Sequence, residues 1–369
     1  MNTLREEFPA RLTRMAEALG KRGLVGALIW DPANLCYYTG NEISGPNYAW
    51  IAADGGAHVF CDEYDAYNVS LGAAGLSIHA AAYWADPLDL ALDHLAARKP
   101  TKIGLETKDI RYSVQAKIAA RLPAHEPIDD LIASQRLVKS AAEIAAIRGA
   151  AAIVGKAYEA ANALLAGPTS EREVAAAVYR TLVMNGSDYV ASQPYIKSGN
   201  RALQTHARWG DRSIAPEDHV LLELGACSNR YHAALMRTRL PARPSPAVQR
   251  AIDAVRAGRD AHLSVLKPGT TADALHGSYL AALERYDAKA WNRHSSGYSF
   301  GIAYPPYWGE IKLMTLTRGV ERRLEPGMAL HVIAGVTAPE ENVPHVGLSE
   351  CVLITDRGFD RLIGAPDFL

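Results

Sequence analysis

RLVKSAAEIAAIRGAAAIVGKAYEAANALLAGP, residues 136–168, carries the decisive reading of this 369-residue chain. Ile144, Ile147, Ala151 and Val154 recur every three or four residues, the stripe of an amphipathic helix, and Gly167-Pro168 stops it. The texture on either side of the stretch differs. Upstream, Leu4, Phe8, Leu12, Met15 and Leu19 mark an opening helix. Strand-like VGALIW, a turn at Asp31-Pro32, CYYTG, AWIAA and AHVFC follow, with further helices up to Leu122. This is an α/β domain over residues 1–137. Downstream, a second domain over 138–369 is α+β. Ser170 with Glu173 caps a helix that ends at Asn185-Gly186, and Ser245-Pro246 caps another that ends at Lys267-Pro268-Gly269. Between and after these helices lie HVLLELG, RYHAALMRTRL, MALHVIAGV and SECVLIT, all of strand composition. Helix pair, strands, helix pair, strands is the order of an internal duplication.

Composition excludes several classes of function. The formal charge of −1 gives no field to collect nucleic acid or anionic lipid, so a small-molecule substrate is expected. Cys36, Cys61, Cys227 and Cys351 lack the spacing of a disulfide framework or a thiolate zinc site. There is no uncharged run of eighteen apolar residues and no signal-like N-terminus, so the expectation is a cytoplasmic protein that does not span a membrane.

Four segments, in consistent order, resemble those of the creatinase and aminopeptidase P family: RLVKSAAEIAAIR, SGNRALQTH with HVLLELG, HSSGYSFGI, and LEPGMALHV. The resemblance implies the pita-bread fold, with an N-terminal creatinase-like α/β domain ahead of the pita-bread domain. It also implies a homodimer in which an N-terminal domain closes the partner's cleft. The loop-like GNEISGPNY, ending at Tyr48, is the expected contributor. Metal-dependent members of the family hold two ions with two aspartates, a histidine and two glutamates. Those positions fall here on Glu223, Ala234, Tyr298, Ile333 and Ser349, so four of the five ligands are lost and no metal cofactor is expected.

The family also contains metal-free hydrolases of amidine and guanidine carbon–nitrogen bonds, creatinase and ectoine hydrolase. Such a carbon is activated by its own positive charge, and needs carboxylates to hold the cation and a group to shuttle a proton. By resemblance His206 is the acid–base residue, against the alternative of a surface or capping histidine. Glu223, in an apolar strand, is either an anchor for the substrate cation or the partner of an arginine such as Arg237. The run GYSFGIAYPPYWGE is most similar to ectoine hydrolase. Tyr304 and Trp308 can box a cation there that Glu310 pairs with, or the loop packs on itself. Tyr298 and His294 line the same region, His294 catalytically or as a structural hydrogen bonder. Glu350 reaches it only if a bulge shifts its strand by one residue. The expected activity is metal-independent hydrolysis of a small amidine-like or guanidine-like compound. The rivals are a metal-dependent Xaa-Pro aminopeptidase-like peptidase and a catalytically silent pita-bread binding protein.

Overall fold

The computed structural model describes residues 4–42, 47–72, 75–108, 110–122, 124–215 and 217–366, in two compact units that divide between Arg136 and Leu137. In the first unit the strands are β1 (Gly26–Ile29), β2 (Tyr48–Ala52), β3 (Ala57–Asp62), β4 (Ser77–Ala81), β5 (Ile103–Leu105) and β6 (His125–Pro127). They form one sheet in the order β4-β3-β2-β1-β5-β6. β1, β2 and β3 run antiparallel as a meander, whereas β4, β5 and β6 are added in parallel. The helices are α1 (Phe8–Lys21), α2 (Pro32–Thr39), α3 (Glu63–Ser70), α4 (Pro87–Arg98), α5 (Tyr112–Arg121) and α6 (Asp129–Arg136). α1 buries Phe8, Leu12, Met15 and Leu19, the stripe read from the sequence.

Two expectations in this unit are corrected. Asp31-Pro32 opens a helix where a turn was expected. The Asp31 carboxylate accepts the Ala33 N–H as an N-cap, Pro32 takes the first helical position, and α2 ends on Gly40 at φ 72°. Tyr48 does not reach out to a partner. It is the first residue of β2 and lies in the core with Leu28, Trp50, Phe60 and Leu88. Of the expected contributing loop, Ile43–Pro46 fall outside the described residues.

The second unit holds α7 (Ala141–Leu165), β7 (Thr169–Ser170), α8 (Glu171–Met184), β8 (Tyr195–Ser198), β9 (Ser213–Ile214), β10 (Val220–Ser228), β11 (Tyr231–Arg239), α9 (Pro246–Val265) and α10 (Ala272–Glu284). β12 (Gly297–Ser299), β13 (Ala329–Ala338), β14 (Val343–Thr355) and β15 (Gly358–Arg361) complete it. Helix α7 opens with a full capping box, in which Ser140 and Glu143 each accept the other's backbone N–H, and it buries Ile147, Ala151 and Val154. It packs with α8 and against the sheet β11-β10-β8, while α9 and α10 pack together and α9 lies on the sheet β12-β13-β14-β15. Strands β11 and β14 bring the two sheets together. Each half is therefore a helix pair on an antiparallel sheet, matching the repeat suggested by element order. All four cysteines are buried, and none is in a disulfide.

Candidate active site

The face of β10 that carries Glu223 is the foundation. Side chains alternate along a strand, so Gly225 shares this face, and the register sets Met236 opposite Glu223 and Ala234 opposite Gly225. On the other flank β8 places Tyr195 opposite Glu223, so Lys197, two residues on, points the same way. Among the described residues nothing hydrogen-bonds the Glu223 carboxylate. Burial raises its pKa above the ordinary carboxylate range, and the opposing pull of Lys197 is smaller. Burial likewise depresses the Lys197 ammonium, whose Nζ donates to the Gln204 carbonyl at 2.9 Å. The suggested Glu223–Arg237 pair is not formed, because Arg237 turns to Glu350 and to the carbonyls of Met236, Ser349 and Pro366.

His206 sits in an exposed turn at φ 43°, a left-handed conformation uncommon for a histidine. Its ring lies 5.5 Å from that of Tyr195, and it lines two cavities of ≈ 770 Å³ and ≈ 720 Å³. Burial and Lys197 lower its pKa, so the imidazole is neutral and able to accept a proton at pH 7. His294 is partly buried, and its Nδ1–H donates to the Ser295 carbonyl at 2.6 Å. Its Nε2 points at Gly335 beside His345, close enough that a Cβ at Gly335 would lie 2.9 Å from it and 3.0 Å from the His345 Nε2. Among the described residues, neither ring nitrogen of His345 has a hydrogen-bond partner.

The positions of the lost ligands are wired together. Trp308 Nε1 donates to Tyr298 Oη at 2.7 Å, Tyr298 Oη meets His331 Nδ1 at 3.1 Å, and His331 Nε2 meets Ser349 Oγ at 2.6 Å. Ser349 Oγ also accepts the Met236 N–H at 2.7 Å. Hydrogen-bond accounting fixes the polarity of this chain. Ser349 is fully buried, so its own proton must be used, and His331 Nε2 is the acceptor in reach. The remaining ring proton on Nδ1 then goes to Tyr298 Oη. That oxygen accepts twice, and its own O–H remains available to donate. Burial first, and Glu223 second, hold the Tyr298 phenol well above 10, so it remains a donor.

Trp308 is therefore not an open aromatic face. It is buried, and its six-membered ring packs so closely on Gly225 that a Cβ there would come within 2.8 Å of Cε3. The indole covers Gly225, whose cross-strand partner is Ala234, the residue expected at the second aspartate position. Ala234 and Ile333 offer no lone pair, and Tyr298 and Ser349 are engaged through His331, so these residues do not fit a pair of ions. Among the described residues, the one group of three His, Cys, Asp or Glu side chains close enough to hold an ion lies in the first unit.

Three further expectations are corrected. Glu310 does not face a substrate; it is buried against the Lys139 ammonium at 2.7 Å and accepts the Ser299 hydroxyl at 2.6 Å. The ring of Tyr304 already carries a cation, since the Arg230 guanidinium stacks 4.5 Å from it and 4.0 Å from Tyr189. Glu350 keeps the strand parity that points it away from Ser349. No bulge intervenes there, and it is buried among Arg259 at 3.4 Å, Arg237 at 3.7 Å and Arg361 at 3.8 Å. Lys197, His331 and His345 were not singled out from the sequence. A histidine inside the apolar run MALHVIAGV was a usable signal for His331, but that Lys197 and Glu223 share a face depends on strand register.

Residues 145–356 match the model of metallopeptidase family M24, and residues 11–138 match the creatinase/prolidase N-terminal domain. The chain belongs to the M24 family. Within it, the chain is 26% identical to an ectoine hydrolase of Halomonas elongata, over 98% of this chain and 96% of that one. It is 25% identical to a Xaa-Pro dipeptidase of Pyrococcus furiosus, over 95% and 97%. Among solved structures, the prolidase from Pyrococcus furiosus superimposes with a TM-score of 0.82 at 24% identity, covering 95% of this chain and 99% of its own. The dipeptidase PepE from Mycobacterium ulcerans gives 0.85 at 22%, covering 99% and 98%. These likenesses show the creatinase-type α/β domain followed by the pita-bread domain. The relatives are hydrolases, and this M24 chain is a hydrolase of the same architecture.

Proposed function

We propose that this M24 chain hydrolyses a carbon–nitrogen bond of a small amidine-like or guanidine-like cation without a metal ion, in the manner suggested by its likeness to ectoine hydrolase. The observation that carries the reading is the donor set. Of the five expected ligand positions only Glu223 keeps a carboxylate; Tyr298 and Ser349 are engaged through His331, and Trp308 packs on Gly225, the cross-strand partner of Ala234. An unpaired, half-buried carboxylate is what an amidinium N–H requires, because a charge-assisted hydrogen bond restores what burial costs the acid. A neutral His206 takes a proton from water as the water oxygen bonds to the amidinium carbon, and returns it to the leaving nitrogen as the carbon–nitrogen bond breaks; His206, neutral again, then relays the remaining hydroxyl proton to the departing amine, so that the carbonyl forms. The Tyr298 O–H can donate to the oxygen that becomes the product carbonyl. We also propose a homodimer, as the family resemblance implies, with light scattering as its check.

The test is a mass-spectrometric screen of cyclic amidines, guanidines, hydantoins and Xaa-Pro dipeptides, with and without chelator. Hydrolysis of a cationic amidine or guanidine, unchanged by chelator, is the expected result. Cleavage of Xaa-Pro dipeptides that is lost on chelation and restored by a divalent ion would overturn the proposal in favour of a peptidase.

A further inference from the structure

Three histidines converge in the first unit; the hydrolytic chemistry does not use them, and His79 and His94 pack on the core residue Phe60 at 4.8 Å and 5.1 Å between ring centroids. His58 lies on β3, His79 on the edge strand β4 and His94 on α4. The register puts His79 opposite Phe60, on the face that His58 shares, and α4 packs over these strands. The rings approach in all three pairs, with centroids 5.3 Å apart for His58–His79, 4.7 Å for His58–His94 and 4.7 Å for His79–His94. One ring nitrogen from each lies within 4.8 Å of the other two. His58 Nδ1 and His79 Nε2 share a 3.0 Å hydrogen bond, but His94 Nε2 is buried with no hydrogen-bond partner. A purely structural cluster leaves that orphan unexplained, since a buried polar nitrogen is normally satisfied.

We propose that His58, His79 and His94 bind one borderline transition-metal ion, of the Zn²⁺ class, through three neutral imidazoles, with water completing a tetrahedron. Imidazole suits zinc, copper, nickel and cobalt, and three histidines with one open position form a known zinc geometry. Metal–nitrogen bonds of about 2.0–2.1 Å set tetrahedral ligand separations of about 3.3 Å, so small side-chain rotations close the cluster on an ion. The 3.0 Å contact between His58 and His79 is already inside that distance.

The surrounding charges are mixed. Arg98 opposes protonation of all three rings, and by the same field opposes a cation, whereas Asp54 favours positive charge at His58. All three side chains are partly exposed, so an ion has access. Bound there, it ties the edge strand β4 to β3 and α4, the flank of the sheet with fewest covalent constraints. The site owes nothing to the hydrolytic reading.

The experiment uses the full-length, untagged protein stripped with chelator. Cobalt is titrated by visible absorption and zinc by calorimetry. The expected result is one ion per chain at micromolar affinity or tighter, a cobalt spectrum of nitrogen and oxygen ligands, and a raised melting temperature. The variants His94→Leu and His79→Gln should each weaken binding by roughly 100-fold or more, as loss of one of three ligands requires. Hydrolysis should be unchanged in both, and the second variant keeps the test open if the first does not fold. Zinc affinity no tighter than millimolar, or equal binding in parent and variants, would overturn the proposal. So would an ion that persists in both variants and disappears in Glu223→Ala, since it would then lie in the second unit.

Discussion

Lowering the pH from 7.5 to 5 should unfold the second unit, and the magnitude can be worked from four of its histidines. His219, His232, His262 and His331 are fully or almost fully buried, and burial holds them at about 4, 3, 3 and 3 respectively. His232 shows why protonation is resisted. Its Nδ1–H donates to the Arg230 carbonyl at 3.0 Å while its Nε2 accepts the Ala191 N–H at 3.2 Å, so a second ring proton has nowhere to go. Unfolded, each imidazole titrates near 6.5 and binds a proton that the folded form refuses. Stability is therefore whole above that value and falls as pH drops toward the folded values. At pH 5.5 each site costs about 1.4 kcal/mol, and the four together about 6 kcal/mol. That is comparable to the whole stability of a typical domain, about 5–15 kcal/mol. The assay is urea denaturation at a series of pH values, followed by tryptophan fluorescence and circular dichroism. His232→Gln, whose amide can keep both hydrogen bonds, should make the decline shallower by about 1.4 kcal/mol at pH 5.5. A denaturation free energy that stays flat between pH 7.5 and 5 would refute the assignment of these rings as buried and neutral.

Glu310→Gln should leave the Lys139 ammonium buried without its counter-charge and cost about 3–5 kcal/mol, read by the same denaturation series. Lys139→Met combined with Glu310→Leu should recover most of that loss, and a raised KM with unchanged stability in Glu310→Gln would restore the residue to the substrate site. His206→Ala should lower turnover by roughly 10² to 10⁴ while an unreactive analogue still binds within about tenfold; turnover within a few-fold of the parent would move the proton shuttle elsewhere. Gly225→Ala would place a Cβ 2.8 Å from Trp308, displacing the indole and freeing Tyr298 of its donor. It should show as a shift in tryptophan fluorescence together with a loss of turnover, and an unchanged spectrum would contradict the packing.

Local physics made most of the fold legible. The α1 and α7 stripes, the Ser170 and Ser245 caps and the alternating strands all depend on residues within a few positions of one another. α2 was missed although its signature was present: aspartate before proline is an N-cap and first-turn pair as readily as a turn, and Gly40 closes the helix. Tyr48 was misplaced because the glycine- and asparagine-rich residues before it suggested a loop that continues through it. In the site, the two-residue strand period correctly separates Ser349 from Glu350. Resemblance also gave the residues expected at the ligand positions. It did not show what those residues touch. That Glu310 meets Lys139, that Arg230 occupies the Tyr304 ring, and that Trp308 lies over Gly225 all depend on pairs brought together from distant positions.

The hydrogen-bonded run from Trp308 to Ser349 also bears on accessibility in sequence space. Tyr298→His alone would remove the acceptor of the Trp308 N–H, and Ser349→Glu alone would put a carboxylate where a neutral His331 and the Met236 N–H now meet a hydroxyl. Ala234→Asp would have to displace the indole. Each single step toward a dinuclear centre would thus disrupt a satisfied network, and ions could repay that loss only after several further changes. Such a site resists acquiring metal ligands one at a time, because several residues would have to change together.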